Sequence, residues 1–297
     1  MSAATAIPMP PLPPVVAGLW QMHTWGQDVA ARVRWIEQVL ELGITAFDHA
    51  DIYGGYTVEA LFGEALAAAP GLRARLRLVT KCGIRLVHPS QPGVAVKHYD
   101  SSAAHIRASV QRSLQALRTD HIDLLLIHRP DWLAHPDEIA EAFTRLRAAG
   151  EVRAFGASNH TAAQFAALHR RVPLATNQVE FSPLQMKALA DGTLEQAADL
   201  GLPPMIWSPL AQGRLFTADD EQARRVRAAL AEVAAEHGCS LATAALAWVM
   251  RHPSRPVPIT GSGRLEALAE AMAATRLTLS RPAWTAVWRA SMGHEVP

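Results

Sequence analysis

The stretch Ile122-Asp123-Leu124-Leu125-Leu126-Ile127 decides how the chain folds. Its apolar residues do not alternate with polar ones. Such a run describes a strand covered on both faces, the environment of a parallel sheet roofed by helices. Working outward, the spacing predicts helices over 101–117 before it and 136–149 after it. Toward the C-terminus, strands are expected at Val152–Ala157, Leu174–Val179, Met205–Trp207 and Val257–Thr260. Helices fall between them over 161–170, 194–200, 221–237 and 240–251, then begin near Arg264 and Pro282. Toward the N-terminus, strands are expected at Leu76–Cys82, Ile44–Phe47 and Val15–Leu19, with helices over 57–69 and 28–42. Asp28 and Thr57 suit helix N-caps, Gly43 suits a C-terminal cap, and Pro70-Gly71 is a stop. Eight short apolar strands alternating with helices define an α/β protein with a parallel sheet and helical crossovers. With no linker between residues 15 and 297, we expect a single-domain closed (β/α)8 TIM barrel. The pattern alone leaves an open doubly wound sheet possible.

Composition narrows the function. The chain has 297 residues, and Lys plus Arg (28) against Asp plus Glu (27) leaves a net charge of +1. That balance predicts no nucleic-acid partner and no attraction to a membrane surface. Apolar runs such as Ala244 to Met250 are far short of the ~20 residues of a membrane span. Five prolines in residues 1–14 mark an irregular arm, which has no basic residue to open a secretion signal. Two cysteines make no disulfide framework, which favours a reducing, cytoplasmic setting.

In a barrel, chemistry sits at the C-terminal ends of the strands. Asp48 follows the second strand and Tyr53 lies in the loop beyond it; Lys81 closes the third strand and His128 the fourth. A phenol has a pKa near 10 and gives up its proton poorly at neutral pH. An ammonium beside it favours the phenolate and lowers that pKa. Asp48 can hold Lys81 charged and in place, and His128 can orient a carbonyl oxygen. Tyr53 then becomes a general acid beside an oxygen gaining negative charge. Hydride addition to a carbonyl has that need, and since no side chain donates hydride, it calls for a nicotinamide cofactor.

Several segments together resemble the aldo/keto reductase family. They are GITAFDHADIYGGYTVEALFG (Gly43 to Gly63), TKCG (Thr80 to Gly83), LLLIHRPD (Leu124 to Asp131), GEVRAFGASN (Gly150 to Asn159), NQVEFSP (Asn177 to Pro183) and WSPLAQGRL (Trp207 to Leu215). ADIYGGY together with a terminal G-x-x-VP (Gly293 to Pro297) is most similar to a bacterial oxidoreductase branch of that family. The resemblance implies a catalytic tetrad of Asp48, Tyr53, Lys81 and His128, with NADPH, rather than NADH, extended across the barrel mouth. It implies carboxamide contacts from Ser158, Asn159 and Gln178, and a ring stacked on Trp207. Gly18, Leu19, Ser208, Leu210 and Glu270 are implied as further cofactor contacts.

The phosphates have a reading of their own. Gly261-Ser262-Gly263 lies between the eighth strand and a helix, where backbone amides meet an anion. Gly213-Arg214 forms a second wall around a pyrophosphate. The chain departs from the family pattern at the adenosine end, where Ala267 and Ala271 stand at the Arg and Asn positions. Arg264 is left to hold a 2′-phosphate. Trp20, Met22, His23 and Trp25 are read as lining the substrate mouth together with Tyr53 and His128, which suits an apolar carbonyl compound. The loop from Gly83 to Asp100 folds over the same mouth in this reading. His49-Ala50-Asp51 is not accompanied by HExxH or paired CxxC, so no metal is expected. Cys82 is expected to point away from Lys81 into packing. Oligomeric state is not legible, with a monomer slightly favoured. Two other functions stay open: a barrel aldolase or isomerase using Lys81 as a Schiff-base nucleophile, and a slow, cofactor-binding regulatory subunit.

Overall fold

The computed structural model describes residues 12–297. Most of the proline-rich arm, residues 1–11, lies outside that range. Ten strands follow in chain order: β1 (Val16–Gly18), β2 (Ala46–Asp48), β3 (Arg77–Cys82), β4 (Ile84–Arg85), β5 (His98–Tyr99), β6 (Ile122–Ile127), β7 (Val152–Ser158), β8 (Asn177–Glu180), β9 (Met205–Trp207) and β10 (Val257–Thr260). Eight of them close a parallel barrel in the order β1-β10-β9-β8-β7-β6-β3-β2. The open sheet is thereby excluded.

The decisive strand behaves as its composition requires. In β6, Leu124 and Leu126 fill the barrel interior with Val16, Val79 and Met205. Leu125 and Ile127 face the surrounding helices with Phe143, Phe155 and Phe165. Both faces are apolar because both are buried. Asp123 interrupts the run at the bottom edge, where its carboxylate accepts the Leu78 amide at 2.9 Å and pairs with Arg73 at 2.9 Å. The apolar run Ala244 to Met250 belongs to the buried helix Leu241–Met250. Among the described residues, no single helix is long and apolar enough to cross a membrane.

Three local readings need correction. The sixth barrel strand begins at Asn177, not Leu174. On the side of β9 the Thr176 hydroxyl stands in for the ladder, donating to the Pro203 carbonyl and accepting the Met205 amide, while backbone bonds to β7 continue at Ala175 and Thr176. The loop from Gly83 to Asp100 contains the small antiparallel hairpin β4–β5. Thr57 is not a side-chain cap: its hydroxyl donates back to the Gly54 carbonyl at 2.8 Å. Asp28 does cap, accepting the Ala31 amide at 2.7 Å.

The helix Val58–Ala68 carries the segment after Tyr53 and packs against Ala103–Leu117. Gly63 permits that approach, since a Cβ there would lie 2.0 Å from the Ala116 carbonyl oxygen. Backbone cannot yield as a side chain does, so Gly63→Ala forces the helices apart. We expect a loss of roughly 3 kcal/mol, read from the urea midpoint; an unchanged midpoint would show that this contact is not tight.

Candidate active site

Side chains alternate across a strand, so Lys81 joins Val79 on the interior of β3 while Thr80 and Cys82 face the helices. Cys82 packs among Ile106, Val110 and Ile127, as expected, and burial pushes its thiol pKa well up. Lys81 is wholly buried. Its ammonium donates to Asp48 Oδ2 at 2.7 Å, to the His49 carbonyl at 2.7 Å and to the Tyr53 hydroxyl at 3.0 Å. An ammonium has three protons, and all three have acceptors. The His49 carbonyl is the contact that residue typing missed, because a backbone oxygen has no sequence signature. Tyr53 is returned to the barrel by a tight loop. Its amide bonds the Ala50 carbonyl at 3.0 Å, and Gly54, Gly55 and Tyr56 follow at φ of +59°, +64° and +69°. His128 continues β6, and its ring stands edge-on to the Tyr53 ring with centroids 6.0 Å apart.

The electrostatics differ from the simplest expectation. Burial holds the Tyr53 phenol above its ordinary pKa, and the pull of Lys81 toward phenolate only offsets part of that rise. Tyr53 is therefore protonated at neutral pH, with the ammonium placed to stabilise the phenolate once the proton leaves. Burial opposes the charge on Lys81, but Asp48 and Tyr53 outweigh it and raise the amine above its usual range. Burial, with Lys81, Arg129 and Lys97 adding to it, drives His128 well below the usual imidazole value. The imidazole is neutral at pH 7.

From Tyr53 a cavity of about 520 Å³ runs to Arg264. Gly18, Trp20, Ser158, Asn159, Gln178, Trp207, Ser208, Leu210, Gly213, Gly261, Ser262, Arg264 and Glu270 all line it, with Asp48, Tyr53 and His128 at one end. A connected chain of hydrogen bonds crosses its floor. Trp207 Nε1 donates to Asn159 Oδ1 at 2.9 Å, and Asn159 Nδ2 donates to Ser158 Oγ at 2.8 Å. Ser158 donates to the Gln178 carbonyl at 3.0 Å, while Gln178 Nε2 donates to Asp48 Oδ1 at 2.8 Å. The donor set suits a nicotinamide dinucleotide: amides and an indole beside the acid, glycines and a guanidinium at the far end. Ala267 lines the far wall and Ala271 is buried behind it, which leaves Arg264 as the guanidinium on that wall.

Several expected residues lie elsewhere. Leu19 is buried in the core, and its amide bonds the Asp48 carbonyl at 3.0 Å. Arg214 opens the short helix Arg214–Thr217 and pairs with Asp220 at 3.2 Å, away from the cavity wall. Tyr53 and His128 line the cavity as expected at the substrate mouth, but of the four residues that follow the first strand only Trp20 joins them. Met22 is buried, His23 packs against Gly54, and Trp25 packs on Trp35 with ring centroids 4.9 Å apart. Arg129, Gln21, Gln212 and Phe216 line the cavity and were not foreseen. Arg129, directly after His128, was within reach of the strand-end argument; Gln21 lies in a turn, and Gln212 and Phe216 lie in short helical turns after the seventh barrel strand. Among the described residues, no three His, Cys, Asp or Glu side chains converge to hold a metal.

A closed parallel barrel carries a buried Lys–Asp–Tyr cluster at the head of a cleft whose lining suits a nicotinamide dinucleotide. The aldo/keto reductase family model matches residues 14–290, and the chain belongs to that family as an NAD(P)H-dependent oxidoreductase. It is 47% identical to Oxidoreductase YdhF of Escherichia coli over 285 residues, covering 95% of this chain and 94% of that protein. It is 41% identical to a 6-dehydroglucose reductase of Agrobacterium fabrum over 285 residues, 95% of each. Its fold is similar to the crystal structure of an aldo/keto reductase from Klebsiella pneumoniae in complex with NADP and acetate. That match has a TM-score of 0.75 and 26% identity, over 96% of this chain and 93% of that one.

Behind the tetrad lies a second buried polar group. Glu59 accepts the Thr80 hydroxyl at 2.6 Å and the Ser113 hydroxyl at 3.0 Å. Asp51, two residues before Tyr53, is buried, and its Oδ1 has no hydrogen-bond partner among the described residues. Burial first, then the charge of Glu59, raises the Asp51 pKa to about 8. An unfolded chain releases this proton near pH 4. Between those values the fold binds more protons than the unfolded chain, so the contribution of Asp51 to stability falls as pH rises toward 8. Asp51→Asn lacks that loss. Its Tm relative to wild type should rise from pH 4 to pH 8 in parallel melts; a constant difference would mean that Asp51 is ionised in the fold.

Proposed function

We propose that the protein reduces a small aldehyde or ketone to an alcohol with NADPH, with Tyr53 as the general acid. The observation that carries this reading is the 3.0 Å contact between the buried Lys81 ammonium and the Tyr53 hydroxyl at the head of the cleft. A nicotinamide bound along that cleft supplies the hydride to the carbonyl carbon. Tyr53 gives its proton to the carbonyl oxygen, and Lys81, held by Asp48, stabilises the phenolate left behind. Neutral His128 orients that oxygen. Ser158 and Gln178 offer polar atoms to the carboxamide and Trp207 offers a ring face.

Support for the phosphorylated cofactor comes from Arg264 on the far wall and from the NADP bound by the Klebsiella pneumoniae structure. The name of the Agrobacterium fabrum relative puts sugar-derived aldehydes first among substrates to test. The polar Arg129, Gln21 and Asn159 beside Trp20 suit such a compound better than a wholly apolar one. The same reading has the protein acting as a monomer in the cytoplasm, with no nucleic-acid or membrane partner. A Schiff-base role for Lys81 is disfavoured because the amine is held charged, and a charged amine is no nucleophile.

Two substitutions test the reading, followed by nicotinamide absorbance over a panel of small carbonyl compounds with both cofactors. Tyr53→Phe should bind NADPH as wild type does and lose at least about 100-fold in turnover. Unchanged turnover removes Tyr53 as the acid, and a wild-type chain that binds NADPH but turns over no carbonyl favours the regulatory alternative. Arg264→Ala should weaken NADPH about tenfold and leave NADH nearly unchanged; equal weakening removes the 2′-phosphate role.

A further inference from the structure

We propose that Trp35, which does not line the cleft, is a positioning residue that sets the preference for the phosphorylated nucleotide by holding the Gly261–Arg264 loop. This rests on the NADPH reading above and asks what aims Arg264.

The loop joins β10 to the helix Leu265–Ala274, with Arg264 as the residue just before that helix, its side chain making no bond to the helix's first amides. The Gly263 carbonyl accepts the Trp35 indole N–H at 2.8 Å. The following amide, that of Arg264, donates to Ser262 Oγ at 3.2 Å. A peptide unit is planar and trans, so its carbonyl and the next N–H point in opposite directions. One side of this unit is thus tied to Trp35 and the other is turned onto Ser262. The plane fixed in this way is the one from which the Arg264 side chain departs.

A second contact holds the same point. Gly263 rests on the Trp25 ring, and a Cβ at that position would lie 2.8 Å from Trp25 Cε2 and 2.9 Å from Cδ2. Trp25 packs on Trp35 at 4.9 Å between centroids. Trp35 is itself buried and meets Phe47 edge-on at 6.2 Å, and Phe47 precedes Asp48 in β2. The loop that would meet the 2′-phosphate is therefore fastened to the rigid barrel by an indole hydrogen bond and an aromatic face. A loop fastened in its binding geometry loses less entropy on taking up a ligand. The gain falls on Arg264 and its phosphate because the peptide held is the one that carries Arg264, whereas backbone contacts from Gly261 and Ser262 would serve NADH and NADPH alike.

The test is nucleotide binding to the purified full-length chain, followed by nucleotide fluorescence, so that no substrate need be known. Trp35→Phe keeps an aromatic ring and removes the N–H. NADPH affinity should fall about tenfold while NADH affinity changes less than about twofold. Combined with Arg264→Ala, Trp35→Phe should weaken NADPH no further, since the two act on one interaction. Equal weakening of both nucleotides, or an unchanged preference, overturns the proposal. Should Trp35→Phe fail to fold, Gly263→Ala displaces the loop from the Trp25 ring, and with it the carbonyl that Trp35 holds, while leaving both indoles in place. It should also lower the preference, and a preference kept in that variant overturns the proposal. A wild-type chain with no preference for NADPH overturns the reading beneath it, whereas a preference that survives the variants overturns this inference alone.

Discussion

A single ammonium, removed from water at the centre of the barrel, is what the rest of the site answers to. An isolated buried charge would cost many kcal/mol, and the amine would lose its proton instead. Lys81 avoids this through the facing Asp48 carboxylate and two further oxygens, those of His49 and Tyr53. Meeting those demands fixes much else. β2 must end on Asp48 opposite the end of β3, and the chain must turn back at once to bring in Tyr53. The bond from the Tyr53 amide to the Ala50 carbonyl closes that turn, and the left-handed residues Gly54, Gly55 and Tyr56 lead the chain away from it into the next helix.

The same burial divides the proton chemistry between two side chains. Desolvation keeps the phenol protonated and the imidazole neutral, because each ionised form would carry a charge out of water. The positive Lys81 then acts with opposite senses on the two. It eases formation of phenolate at Tyr53 and makes imidazolium at His128 harder still. One residue is thereby suited to giving a proton, and the other to offering a neutral hydrogen bond at the same pH.

How much of this could be read from residues alone varied with the physics involved. A parallel sheet covered on both faces was legible because such burial leaves a mark in strands like Ile122–Ile127, whereas closure rested on the count of eight strand–helix units and not on the pattern of any one strand. Asp48, Tyr53, Lys81 and His128 were legible because strand ends gather at one mouth, and their residue types suit one reaction. The start of β8 was not, since a Thr176 hydroxyl standing in for a backbone bond looks like any threonine. Trp25 was placed at the mouth because an aromatic after a strand looks the same whether it faces a cleft or a neighbouring helix. Only the position of Trp35, ten residues further on, distinguishes the two. The net direction of the Tyr53 shift was also beyond reach, since it depends on depth of burial against one distance.

The hydrogen-bond chain from Trp207 through Asn159, Ser158 and Gln178 ends on the carboxylate that steadies Lys81. Its two halves would serve different tasks, yet they meet in one residue: the Gln178 side-chain amide donates to Asp48 while its backbone carbonyl accepts from Ser158. A redesign of the floor for a different coenzyme could not leave the acid untouched. Breeding new selectivity into this scaffold would therefore be constrained to the distal rim, where loops can vary without disturbing the ionic keystone.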